Sequence, residues 1–158
     1  MLVAQKCDII PEVIIMTFCC KSFEELTNTQ VYEILKSRQE VFMLEQKILC
    51  LDMDDVDYKA RHYFAQEDGR VTAYLRAFYL DDQSVKIGRV LSRSRRKGVG
   101  KALVKFALAD MKQNMPCTKL CVDAQKQAAG FYEKCGFVSV SDEFIEEGIP
   151  HIAMELEI

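Results

Sequence analysis

The sequence has no C-x-x-C pair, no unbroken apolar run of the ~20 residues that a membrane-spanning helix needs, no internal repeat and no proline- or glycine-rich linker. The missing cysteine pairs remove zinc-ribbon and dithiol redox functions. Its seven cysteines, Cys7, Cys19, Cys20, Cys50, Cys117, Cys121 and Cys135, are odd in number and scattered, the pattern of reduced thiols in a cytoplasmic protein. The apolar stretch from Ile9 to Phe18 is broken by Pro11 and Glu12, so neither a membrane segment nor a signal peptide is expected. Excess positive charge is lacking too. A formal net charge of −3 excludes a generally basic nucleic-acid binder, although Arg93 to Lys101 form a local basic cluster. The two histidines, His62 and His151, have no metal-binding partner at helical spacing, and no metal site is expected.

What is present fits one soluble domain: 158 residues, 49% apolar and 28% charged. The domain is expected over residues 16–158, with 1–15 a loosely held extension. A strand is predicted over Met16–Lys21. Thr27 and Gln30 stand at capping-box spacing, and Val31, Ile34, Leu35, Val41 and Phe42 recur at helical intervals, giving a helix to about Leu44. An acidic loop, Leu51 to Tyr58, precedes a hairpin of Arg61–Gln66 and Val71–Tyr79 around Asp68-Gly69. The strand Val85–Leu91 runs into a glycine-containing basic turn and a helix marked by Val99, Leu103, Phe106, Ala107 and Met111, which Pro116 stops. A strand Lys119–Asp123, a helix Gln127–Lys134 ended by Gly136, and strands Phe137–Ser141 and His151–Glu157 complete the chain. Strand, helix, strand implies a parallel crossover, while the remaining pairs read as antiparallel. The expected class is α/β (α+β), a mixed sheet of six to seven strands flanked by helices.

The turn Arg95-Arg96-Lys97-Gly98-Val99-Gly100-Lys101 lies between a strand and a helix, where unpaired backbone N–H groups favour an anion. It is not a P-loop, since Arg95 replaces the first glycine and Ala102 replaces the hydroxyl residue that would hold Mg²⁺. A dinucleotide fingerprint fails at Leu103. What remains is R-x-x-G-x-G, carried by Arg95, Gly98 and Gly100, followed by "AAGFYEKCGF" from Ala128 to Phe137. In these two segments the chain resembles the GNAT superfamily of acyl-CoA-dependent N-acetyltransferases. "RQEVFMLEQ" (Arg38 to Gln46), the D-x-D-x-x-D run of Asp52, Asp54 and Asp57, "RHY" at Arg61 and "EEGIPHIAM" at Glu146 narrow the resemblance to its ElaA-like branch. The segment from Val90 to Arg95 is shorter than in many GNAT enzymes.

The resemblance implies transfer of an acetyl group from acetyl-CoA, the co-substrate, to a primary amine by direct attack in a ternary complex, without a metal. Val90, Leu91 and Ser92 would line the pantetheine arm. The main chain of Arg96, Lys97, Gly98, Val99, Gly100 and Lys101 would hold the pyrophosphate, with Arg95, Arg96 and Lys97 adding attraction and Gln125 a further contact. Tyr132 would be the acid for the leaving thiolate and Glu45 the base, with His151 as an alternative proton acceptor; Arg38, His62 and His151 would meet the acceptor. Physical chemistry leaves alternatives at several of these positions. Arg38 and Glu45 fall beside the apolar stripe of the first helix, so each needs an ion-pair partner or a ligand. Asp52, Asp54 and Asp57 suit either a cationic substrate or turn capping. A non-catalytic acyl-CoA-binding protein of the same fold is the competing function. The acceptor is a small-molecule or peptide amine, nucleic acid and membrane are not expected partners, and monomer and homodimer both stay open.

Overall fold

Eight strands form one sheet in the order β1-β2-β3-β4-β5-β8-β6, with β7 paired to β8. In chain order the elements are β1 (Met16–Ser22), α1 (Asn28–Arg38), β2 (Arg61–Glu67), β3 (Arg70–Tyr79), β4 (Ser84–Ser92), α2 (Val99–Asn114), β5 (Lys119–Gln125), α3 (Ala129–Glu133), β6 (Val138–Ser139), β7 (Phe144–Glu146) and β8 (Ile149–Glu157). This computed structural model describes residues 16–93 and 98–158. The expected extension over 1–15 and Arg95, Arg96 and Lys97, main chain and side chains alike, lie outside those residues. Strand β7 is one more than expected, a three-residue piece inside what reads as a turn. The strand expected over Phe137–Ser141 shortens to Val138–Ser139, although the Val140 N–H still bonds the Ala153 carbonyl at 2.9 Å.

The sheet is covered on both faces. On one, Leu103, Ala107 and Met111 of α2 and Tyr132 of α3 join Leu75, Val85, Leu120 and Val122 in the larger core. On the other, Ile34 of α1 and Val41 pack with Phe64, Tyr74 and Leu91. The α1 terminus forms as its sequence dictates: Thr27 Oγ1 accepts from the Gln30 N–H at 3.2 Å, and Gln30 Oε1 accepts from the Thr27 N–H at 3.1 Å. The helical path ends at Glu45, close to the expected Leu44, but its winding changes. From Gln39 to Glu45 it is a π-helix, closed by Gln46 N–H to the Val41 carbonyl. That change of pitch separates residues expected on one side: Arg38 is 1% exposed, whereas Glu45 faces solvent.

Arg38 finds its partners in the acidic run. Its Nε donates to Asp52 Oδ2 (2.8 Å), Nη1 to Asp57 Oδ1 (2.8 Å) and Nη2 to the Asp52 carbonyl (2.7 Å). Arg76 of β3 grips both oxygens of Asp54 at 2.7 and 2.6 Å and reaches Asp57 at 2.9 Å. Arg89 of β4 reaches Asp52 Oδ1 at 2.7 Å. Three arginines and three aspartates thus cancel, fastening the loop after α1 across β3 and β4. His62 of β2 completes the layer. Its Nε2–H donates to the Asp57 carbonyl (2.9 Å), since a carbonyl can only accept, which leaves Nδ1 to accept from the Tyr74 hydroxyl (2.8 Å).

Removing one partner from such a cluster leaves buried charge uncompensated, so Asp57→Asn is expected to cost about 3–5 kcal/mol in urea unfolding. The network is also acid-sensitive. The Arg76 guanidinium lowers the Asp54 carboxyl from 3.8 to about 2. Burial opposes but does not cancel the pull of Arg38 and Arg76 on Asp57, which is also lowered, and burial lowers His62. All three groups bind protons more readily when unfolded, so stability is full near neutrality and falls with pH, first as His62 titrates and then, below about pH 4, as the aspartates do. Asp54→Asn should flatten the acid limb in pH-dependent unfolding, and an unaltered limb would contradict the assignment.

Candidate functional site

The parallel partners β4 and β5 part company midway. Their register runs only from Ser84↔Lys119 to Ile87↔Val122. Beyond it β4 continues to Ser92 and β5 to Gln125, each held on its far side alone, β4 by β3 and β5 by β8. A wedge opens between them. On the β4 side the cause is a bulge: Tyr74 pairs with Leu91 and Arg76 with Gly88, so Arg89 and Val90 together face Leu75. Arg89 has φ 54°, the left-handed region that a side chain rarely adopts. The extra residue also reverses which side chains face which core. Val85 and Ile87 join the α2 side, while Leu91, which strict alternation would put with them, joins the α1 side.

At the narrow end, α2 begins directly against β4. Gly98 has φ 72° and caps the helix without a side chain. A Cβ on Gly100 would lie 3.2 Å from the Ser92 Cβ, so glycine lets the first turn of α2 close onto the strand. The N–H groups of Val99, Gly100 and Lys101 belong to that first turn and have no acceptor within the helix. Ser92 Oγ is buried and, among the described residues, without a partner. Unsatisfied donors, a helix N-terminus and a glycine-permitted close approach suit a phosphate-bearing ligand. Val90, Leu91 and Ser92 all lie on the part of β4 that has no partner on β5.

Tyr132 sits on α3, which follows β5, and is 6% exposed between Phe131 and Phe137 in edge contacts of 5.2 and 5.8 Å. Burial raises its phenol further above the ordinary value, so it keeps its proton at neutral pH. The α1 side of the wedge is polar. Gln125, the last residue of β5, donates to Gln46 at the end of the π-helix (2.9 Å), and it is the register partner of His151 on β8. Register partners point to the same face of a sheet, which gathers Gln46, Gln125 and His151. His151 Nδ1–H donates to the Ile149 carbonyl at 2.7 Å, so in the neutral ring Nε2 carries the lone pair, 3.8 Å from Glu146 Oε2. Its ring stacks on Phe144. Lys86 and Asp123 pair across β4 and β5 on the same face.

The residues expected to meet an acceptor therefore separate. His151 lies beside Gln125 at the wedge, and Glu45 is exposed one residue before Gln46. All three guanidinium nitrogens of Arg38 and both ring nitrogens of His62 are engaged inside the protein. Two pockets, of ≈ 220 and ≈ 360 Å³, lie along α1 and the acidic loop rather than at the wedge. Sequence reading did not single out Arg76, Arg89 or Gln46. The first two are charges inside strand patterns, and Gly88 inside β4 is a signal for a bulge. Gln46 carries no signal of its own, because its partner is 79 positions away. The six described cysteines are free thiols, and among the described residues no helix is long and apolar enough to cross a membrane and no cluster of ligating side chains could hold a metal.

Comparison with known proteins agrees with this geometry. Residues 24–158 match the family described as "Acetyltransferase (GNAT) domain". A UPF0039 protein of Schizosaccharomyces pombe is 35% identical over 147 residues, 90% of this chain and 98% of its own. Protein ElaA of Escherichia coli is 33% identical over 140 residues, 85% of this chain and 92% of its own. Its crystal structure superimposes with a TM-score of 0.85 over 90% of this chain and 100% of that one. An acyl-CoA N-acyltransferase from Pseudomonas aeruginosa, 34% identical, gives a TM-score of 0.83 over 89% of this chain and 99% of that one.

Proposed function

This chain belongs to the GNAT acetyltransferase family, and from that premise we propose that it transfers the acetyl group of acetyl-CoA to a primary amine by direct attack in a ternary complex. The observation that carries the reading is the wedge between β4 and β5, with the N-terminus of α2 and a Ser92 hydroxyl that has no partner among the described residues at its narrow end. The 34% identical acyl-CoA N-acyltransferase supports the donor class. When bound, acetyl-CoA supplies an activated thioester carbonyl. The chain's own groups do the rest. The first-turn N–H groups of α2 bind the pyrophosphate, Ser92 Oγ adds a hydrogen bond, and the unpaired edge of Val90–Ser92 orients the pantetheine amides.

Attack by the neutral amine forms a C–N bond and breaks the C–S bond, so one proton must leave nitrogen and one must reach sulfur. We assign proton removal to His151 Nε2, with Glu45, one residue before Gln46, drawing the substrate ammonium into place, and protonation of the thiolate to Tyr132. Lowered access to water and a raised phenol pKa keep Tyr132 in the donor form. Arg38 and His62 we assign to the scaffold, because their polar atoms are already spent. The acceptor is a small-molecule or peptide amine, and the unpatterned thiols support a reducing cytoplasm as the compartment.

Tyr132→Phe should lower kcat by about 10²-fold or more while leaving the CoA dissociation constant nearly unchanged, read by thiol release and isothermal titration. Unchanged turnover removes the acid role. Gly98→Val and Gly100→Val should each weaken CoA binding at least tenfold, the first through its φ of 72° and the second through the Ser92 contact. Wild-type affinity in both would mean that the ligand sits elsewhere. CoA binding with no thiol release across an amine panel would favour the non-catalytic alternative.

A further inference from the structure

Nothing in the transfer chemistry accounts for the β4 bulge being built on an arginine. Left-handed backbone is ordinarily given to glycine, and Gly88 is the immediate neighbour, yet the residue at φ 54° is Arg89. Its side chain explains the choice. Arg89 Nε donates to Asp52 Oδ1 at 2.7 Å, and Nη2 approaches the Asp52 carbonyl at 3.1 Å and Asp54 Oδ2 at 3.4 Å. Asp52 is itself fixed from behind, by Arg38 on its other carboxylate oxygen and on the same carbonyl, at 2.8 and 2.7 Å. A buried helix residue thus holds an aspartate that holds the bulge. The bulge coincides with the place where β4 leaves β5: the last register pair is Ile87↔Val122, and Arg89 and Val90 have no register partner on β5 and only Leu75 opposite them on β3.

We propose that Asp52 is a positioning residue for acyl transfer: through Arg89 it locks the β4 bulge so that main-chain N–H groups of Arg89 and Val90 stand outside both ladders, where they hydrogen-bond the thioester oxygen of the donor. The inference rests on the transferase reading above. Preorganised backbone donors are effective because they need no rearrangement as charge grows on the oxygen. Without the clamp, the strand can relax towards regular pairing with β3 and the donors turn away. The guanidinium matters here for its fork, which engages a carboxylate and a carbonyl together, and lysine has no such geometry.

The test compares acetyl-CoA with CoA, which differ by the thioester carbonyl. Wild type should bind acetyl-CoA at least fivefold more tightly than CoA in isothermal titration. Asp52→Asn and Arg89→Gly should bring that ratio to about one while CoA affinity changes less than twofold. Glycine tolerates the left-handed backbone, so Arg89→Gly removes the clamp without adding strain and decides the matter if Asp52→Asn fails to fold. The same variants should lower kcat at least tenfold, raise the acetyl-CoA KM in step with the lost acetyl-CoA affinity, and slow amide hydrogen exchange at Val90 as regular pairing with β3 is regained, with no change in β2. Arg89→Lys should not rescue the ratio. Equal wild-type affinities, or a ratio unmoved in the variants, overturn the clamp and leave the transferase reading intact. Failure of wild type to bind CoA at all overturns the reading and the clamp with it.

Discussion

A strand can serve two neighbours only while its path stays regular, and β4 stops being regular at Arg89. Up to Ile87 it is an ordinary central strand, paired to β3 on one side and β5 on the other. After the bulge it keeps β3 and loses β5, which leaves β5 to follow β8 as far as Gln125. Every feature of the site follows from that separation. The unpaired edge of Val90 to Ser92 faces the gap, the first turn of α2 closes its narrow end, and α3 brings Tyr132 up behind β5.

The price of opening a sheet is exposed backbone and strained geometry, and the arginine–aspartate layer offsets both. Three carboxylates and three guanidinium groups neutralise one another over β3 and β4, so the acidic run after α1 carries no spare charge for a cationic substrate from these three residues. Their strength lies in geometry rather than in number. Each arginine uses at least two of its nitrogens, and Arg76 forms a two-pronged contact with Asp54. Such a layer specifies one arrangement of loop, helix and sheet, at the cost of sensitivity to acid.

Local signals in the sequence were read correctly and long-range ones were not. The Thr27–Gln30 capping box, the Asp68-Gly69 turn, the α2 stripe ended by Pro116 and the parallel β4–α2–β5 unit all depend on residues near one another, and each stands where the pattern puts it. The π-helix over Gln39–Glu45 has no periodic signature in a stretch that also satisfies α-helical spacing, so Glu45 moved away from Arg38 without warning. Arg38 had two readings on sequence alone; burial and three hydrogen bonds decide for the ion pair as its structural environment. Arg76 and Arg89 were invisible as partners because the aspartates they meet lie up to 37 positions earlier, a separation that only the folded sheet closes. Around the wedge, motifs marked Tyr132, Gly98 and Gly100 as candidates, whereas the gathering of Gln46, Gln125 and His151 had no local signal.

The central claim is that the gap between β4 and β5 is a binding slot. Titrating CoA into isotopically labelled protein and following backbone amide resonances addresses it directly. The account predicts that the largest shifts fall on Val90 to Ser92, Val99 to Lys101 and Gln125, in a single saturating transition. Shifts confined to the α1 face around Phe23, Leu26 and Tyr58, or no shifts on either strand, would contradict it.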